Sequence, residues 1–88
     1  MNSARKKQLK AQAHPLKPVV IVGQSGLTEP VLNEIEITLD SHELIKIKIR
    51  ADKLERNQIR DQIVTDTQSE LIQTIGQIII IFRKKPEQ

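Results

Sequence analysis

Gly23 and Gly26 stand three residues apart in the run PVVIVGQSGLTEPV, residues 18–31, just after an apolar stretch and just before a helix-start signal. Glycines so placed let another backbone come close, and free loop N–H groups with a helix N-terminus behind them suit a phosphodiester. The same four residues, Gly23, Gln24, Ser25 and Gly26, serve equally well as a plain turn from strand to helix. They match neither well-known phosphate fingerprint. The Gly-Lys-Ser/Thr of a nucleoside-triphosphate loop is missing, and so is the third glycine of the dinucleotide motif. Gln24 and Ser25 are uncharged, and Glu29 sits where a phosphate would meet the helix dipole.

Other chemistry is sparse. Cysteine is absent, which excludes disulfides, thiolate metal ligands and cysteine nucleophiles. Ser3, Ser25, Ser41 and Ser69 lie in no nucleophile-elbow context. His14 and His42 each flank a helix end, where an imidazole more often meets the dipole than serves as a base. Carboxylates such as Glu34 and Glu36 have the spacing of solvated helix faces, and no His/Asp/Glu group has metal-ligand spacing. The expectation is a protein with no catalytic residues, no metal, no cofactor and no small-molecule substrate.

Charge is more informative. The net value is a modest +3. Residues 1–20 hold Arg5, Lys6, Lys7, Lys10 and Lys17 and no acid, whereas residues 21–42 hold Glu29, Glu34, Glu36 and Asp40 and no base. Opposite potentials on different surfaces favour an anionic partner at the basic one. No apolar stretch approaches the roughly 20 residues that span a bilayer, and no apolar region follows the basic N-terminus as in a secretory leader. A cytoplasmic protein without membrane contact is expected.

These side chains need elements to hold them. Ser3 can cap a helix over about 4–13, ended by His14-Pro15, with Leu9, Ala13 and Leu16 as its apolar stripe and Lys6, Lys7 and Lys10 together on one flank. PVVIVG reads as a strand that is apolar on both faces, hence central in a sheet. Thr28 then fits an N-cap, Glu29 and Pro30 suit a first turn, and Val31, Leu32, Ile35 and Leu39 give the inner stripe of a helix to about His42. LIKIKIR, residues 44–50, alternates cleanly: Ile45, Ile47 and Ile49 face one way, Lys46, Lys48 and Arg50 the other. Three cations in a row repel one another, and an anionic surface laid across them would relieve that strain.

A third helix is expected over about 54–67, capped by Asp52, with Ile59, Ile63 and Leu54 inward. Two strands follow, about 70–75 and 77–83, turned near Gly76, and then a frayed tail over 84–88. The order α-β-α-β-α-β-β predicts one α/β domain over residues 1–88, with a four-stranded mixed sheet, parallel across its helical crossovers and antiparallel in its final hairpin.

Phe82 is the sole aromatic ring, so base stacking on side chains cannot be the main mode of contact with a nucleic acid. Phosphate and sugar contacts from lysines and backbone N–H groups would carry it, which favours shape or structured RNA.

The run KAQAHPLKPVVIVGQSGLTEPVLNEIEITLDSHELIKIKI resembles the YhbY family, the single-domain bacterial form of the CRM (chloroplast RNA splicing and ribosome maturation) RNA-binding domain. The likeness is strongest in AHPLKPVVIVGQSGLTEPVL and HELIKIKI, and extends to the closing IGQIIIIFRK. It implies a compact fold similar to the C-terminal domain of bacterial translation initiation factor three. It also implies a GxxG loop analogous to that of KH domains, and association with ribosomal RNA in precursors of the large ribosomal subunit. By position that loop is Gly23, Gln24, Ser25 and Gly26, flanked by Lys17 and the lysines of the first helix. Two features depart from the family: the loop is neutral between its glycines, where many members carry a basic residue, and the third helix follows the pattern only loosely. The competing reading is a module that docks a ribosomal or assembly protein through its acidic second helix. The residues assign no oligomeric state.

Overall fold

The computed structural model describes residues 1–86. Seven elements follow in the expected order: α1 (Ser3–Ala13), β1 (Pro18–Val22), α2 (Glu29–His42), β2 (Leu44–Ile49), α3 (Lys53–Thr67), β3 (Glu70–Ile75) and β4 (Ile78–Phe82). They build one mixed sheet with strand order β1-β2-β4-β3. β1 and β2 are parallel, joined by the α2 crossover, and β4 runs antiparallel between β2 and β3.

Local chemistry sets the helix starts. Thr28 and Asp52 cap α2 and α3 as expected, each side chain accepting the backbone N–H three residues on. At α1 the cap is Asn2, whose Oδ1 accepts from the Arg5 N–H at 2.8 Å, and Ser3 is already the first helical residue. Asparagine precedes serine here, and both are good caps, so the periodicity could not choose between them.

Each face of the sheet has its own core. One is closed by α2 and α3: Val20, Val22, Ile35, Leu39, Ile45, Ile47, Ile49, Ile59, Ile63, Ile79 and Ile81 form one aliphatic cluster. On the opposite face α1 packs against β2 and β3. The cluster there is smaller, with Leu9, Ala13, Ile72 and Ile80 at its centre and Leu44 and Phe82 packed around them. Alternation along β2 matches the pattern of LIKIKI, with Ile45, Ile47 and Ile49 buried on the α2–α3 side.

Three sequence expectations fail on the same ground. β1 is not central but an edge strand, and its Val19 and Ile21 are half exposed. α1 lies over the other strands, so the second apolar face of β1 has no cover. Leu16 falls beyond the end of α1 and is exposed, and Leu54 on the first turn of α3 is exposed as well. Apolar periodicity reports what could be buried. Whether a neighbour arrives is decided by topology.

The far end of the sheet is tied by Arg83. Its guanidinium donates to Glu36 Oε2 at 2.7 Å, Asp40 Oδ1 at 2.8 Å and the Thr67 carbonyl at 2.8 Å, joining β4 to α2 and to the end of α3. Glu43, held at φ 61, donates its N–H to the Leu39 carbonyl and accepts the Arg83 N–H on its own carbonyl. Its carboxylate takes the Lys85 N–H at 2.7 Å, so the chain is anchored as far as Lys85. Of the expected tail over 84–88, residues 87 and 88 lie outside the described residues.

Candidate functional site

The Gly23–Gly26 segment is a tight turn, closed by the Gly26 N–H donating to the Gly23 carbonyl at 3.0 Å. Gly23, Gln24 and Ser25 are exposed, and α2 begins directly behind them. The two glycines differ in why they are glycine. Gly26 has φ +74, a left-handed conformation that an L side chain adopts only with strain. Gly23 has no such φ, and a Cβ built there meets nothing within 4 Å. Nothing inside the described chain requires glycine at position 23. Among the described residues, the N–H groups of Gln24 and Ser25 have no hydrogen-bond acceptor.

Beside this loop lies the end of β2. The Arg50 N–H donates to the Val22 carbonyl at 2.9 Å, placing Arg50 next to the start of the turn. Lys48 pairs in register with Ile21, and Lys46 with Pro18. Cross-strand partners share a face, so Lys46 and Lys48 stand beside the exposed Val19 and Ile21 on the part of the sheet that α1 leaves uncovered. The result is a mixed cationic and apolar strip that leads to the loop.

Lys46 is not a free cation. Its Nζ donates to the His14 carbonyl at 3.3 Å, at the C-terminus of α1, where positive charge also complements the helix dipole. Arg5 is engaged too, with its guanidinium 5.5 Å from the Phe82 ring centroid. Lys7, Lys10 and Lys17 are exposed and Lys6 is half-buried.

The placement of Lys17 differs from what the resemblance implies. It precedes β1, whereas the loop follows β1, so the whole strand separates them, roughly 20 Å at 3.3 Å per residue. Lys48 and Arg50 flank the loop instead. The basic surface therefore has two parts: Lys48 and Arg50 at the loop end, and Lys17 and Lys46 at the α1 end. The sequence missed the exposed Val19 and Ile21 between them. Their signal was present, since a strand apolar on both faces is either central or carries an uncovered face.

The acidic second helix is partly neutralised. Two of its four carboxylates, those of Glu36 and Asp40, are salt-bridged to Arg83. Arg83 titrates above its ordinary value: burial opposes its charge, but the hydrogen bonds and charges of Glu36 and Asp40 outweigh that. Among the described residues, no group of three or more His, Asp or Glu side chains is gathered as a metal would need, and no helix is long and apolar enough to cross a membrane.

The comparisons with known proteins agree with one another. A family model for the CRS1 / YhbY (CRM) domain matches residues 1–83. A Pseudomonas aeruginosa protein named a probable RNA-binding protein is 42% identical over 88 residues, covering 99% of this chain and 85% of its own. A Haemophilus influenzae protein named an RNA-binding protein is 44% identical over 88 residues, with 99% and 89% covered. The solution structure of a hypothetical protein from Staphylococcus aureus superimposes with a TM-score of 0.84 at 30% identity, covering 99% of this chain and 92% of that one.

Proposed function

The chain belongs to the CRS1 / YhbY (CRM) domain family, and from that premise we propose that it is an RNA-binding protein of the cytoplasm that associates with ribosomal RNA in precursors of the large ribosomal subunit. RNA binding is supported by the names of its relatives and by the charge distribution. The ribosomal partner rests on the resemblance to the YhbY family alone.

One observation carries the role of the loop. Gly23 is glycine without an internal reason, since neither φ nor a neighbouring atom forbids a side chain there. A partner backbone passing close to residue 23 supplies that reason. The N–H groups of Gln24 and Ser25 are free to donate to phosphate oxygens, and Lys48 and Arg50 add charge at the same end of the sheet. Val19 and Ile21 offer apolar contact to sugars between the two basic parts, and Lys17, Lys6, Lys7 and Lys10 extend the charge toward α1. Phe82 is half-buried and covered by Arg5, so ring stacking contributes little, and the target is structured RNA read by shape. No catalytic step is assigned, and RNA incubated with the protein should remain intact.

The test is a salt titration of binding to a stem-loop RNA. About 3–6 phosphate contacts should give a log-linear fall in affinity of corresponding slope, and a flat response would refute the reading. Gly23→Ala isolates the loop, because a methyl group there leaves stability unchanged and weakens RNA binding only if a backbone passes close. Gly26→Asp adds charge and should cost about 1–3 kcal/mol of affinity. Gly26→Asn controls for its φ, since asparagine tolerates the left-handed region. Parental affinity in all three folded variants would reduce the loop to a turn and leave the site to the basic strand and α1.

A further inference from the structure

The third helix sorts its side chains by charge. Lys53, Arg56, Asn57 and Arg60, spaced i, i+3, i+4 and i+7, share one face. They line a groove of about 330 Å³ whose opposite wall is the β3–β4 turn, with Thr74, Gly76 and Gln77. The lining contains three cations and no carboxylate. The other flank of the helix is the reverse, with Asp61 and Asp66 lining a separate concavity and no cation among its lining residues. The two flanks meet at the salt bridge between Arg60 and Asp61, 2.9 Å long.

The groove is also held in shape. Arg56 Nη1 donates to the Ala51 carbonyl at 2.8 Å, which uses one of five guanidinium donors. Arg60 donates to Asn57 Oδ1 at 3.1 Å and to Asp61 Oδ1 at 2.9 Å, and its side chain is only 23% exposed. Lys53 is exposed and has no ion pair among the described residues. Two guanidinium groups are therefore fixed by the protein itself, and a lysine stands free at the helix start.

Position links the groove to the loop. The Ile49 N–H donates to the Gln77 carbonyl at 2.8 Å, and the next N–H, that of Arg50, donates to Val22 at 2.9 Å. Ile49, the last residue of β2, and Arg50 just after it thus join the groove's turn to the strand that leads into Gly23–Gly26. The two lie two strand spacings apart, roughly 10 Å. The groove opens on the α3 side of the sheet, and Lys46 and Lys48 stand on the α1 side.

We propose that this groove is a second phosphate-binding site, which takes a further segment of the backbone of the RNA that contacts the loop, so that the nucleic acid wraps over the end of the sheet. This rests on the RNA-binding reading given above. Lys53 contributes one electrostatic contact, Arg60 contacts phosphate with the guanidinium donors that Asp61 and Asn57 leave unused, and Arg56 both contacts phosphate and holds the turn before α3.

Binding of a fluorophore-labelled stem-loop RNA is measured against salt for the parent, for Lys53→Gln with Arg60→Gln, and for Lys84→Gln with Lys85→Gln as a control at the other end of β4. Each groove cation removed should lower the slope of log affinity against log salt by about one, and affinity by about tenfold at 0.1 M salt. Should the double variant melt out, Lys53→Gln alone should lower the slope by about one. In the parent, RNA should protect Lys53 from an amine-acylating reagent followed by mass spectrometry. Parental binding by the groove variant, equal losses in the control, or an unprotected Lys53 would overturn the proposal. A Lys48→Glu variant tells the two readings apart. Loss of binding there with an intact groove variant sinks the groove alone, while a parent that binds no RNA sinks both.

Discussion

The two faces of the sheet use the same residue types for different ends. On the α2–α3 side, every inward position of β2 is isoleucine and each is at most 2% exposed. On the α1 side, the outward positions of the same strand are Leu44, packed under α1, and then Lys46 and Lys48, and the neighbouring strand presents Val19 and Ile21 at 49% and 50% exposure. The first face is finished by the protein. The second is left half covered, because one helix of 11 residues does not span a four-stranded sheet. The proposed RNA track runs over this open part of the sheet, where an exposed apolar pair stands beside cations, and not over the closed core.

The largest effects should therefore fall on opposite quantities for the two faces. Leu39→Ala, in the closed core, should cost about 2–5 kcal/mol of stability in a denaturant titration, and the protein that remains folded should bind RNA with parental affinity. Ile21→Ala should change stability by less than about 1 kcal/mol, since half of that side chain is already in water, yet it should weaken RNA binding measurably. If Ile21→Ala proved as destabilising as Leu39→Ala, the open face would be part of the core and the contrast would fail.

A middling effect should come from Arg83. Replacing it with methionine keeps much of the apolar contact of the stem but removes its donors to Glu36, Asp40 and Thr67. The expected cost is about 1–3 kcal/mol, with RNA affinity unchanged, because the tie lies at the end of β4 away from the loop. Its pH dependence can be stated. Arg83 titrates above its ordinary value, so its contribution is complete below the unfolded value and is lost only as pH rises through the higher folded one. Both lie far above neutrality. The stability gap between parent and variant that arises from the guanidinium should thus stay constant from about pH 6 to 10, as thermal melts across that range would report.

The order of elements was legible because it depends on local signals: Thr28 and Asp52 as caps, proline after His14, alternation in LIKIKI, glycine at position 76. The sheet order was harder to read. PVVIV carries the composition of a central strand, and only the position of α1 makes it an edge. The same non-local cause hid the distribution of the cations. Lys17 adjoins β1 in sequence, so it looks close to the glycine loop, but an extended strand carries the chain away from it. Lys46 and Lys48 look equivalent by alternation, and the arrival of the α1 carboxyl end beside one of them makes them different.

That last difference gives the finest test of the contrast, because Lys46 belongs to both sides of it. Its Nζ donates to the His14 carbonyl at 3.3 Å, so it helps to seat α1 while standing in the basic strip. Lys48 has no such partner among the described residues and pairs only in register with Ile21. Lys46→Gln should lower stability by about 0.5 kcal/mol, the scale of a partly exposed hydrogen bond with help from the helix dipole, and Lys48→Gln should leave it unchanged. On RNA the two should behave alike, each reducing the salt slope by about one. Equal stability in the two variants would mean that the His14 contact has no energetic role. A slope that changes for Lys48→Gln alone would mean that Lys46 is spent on the fold, and that the RNA track begins one register position nearer the loop.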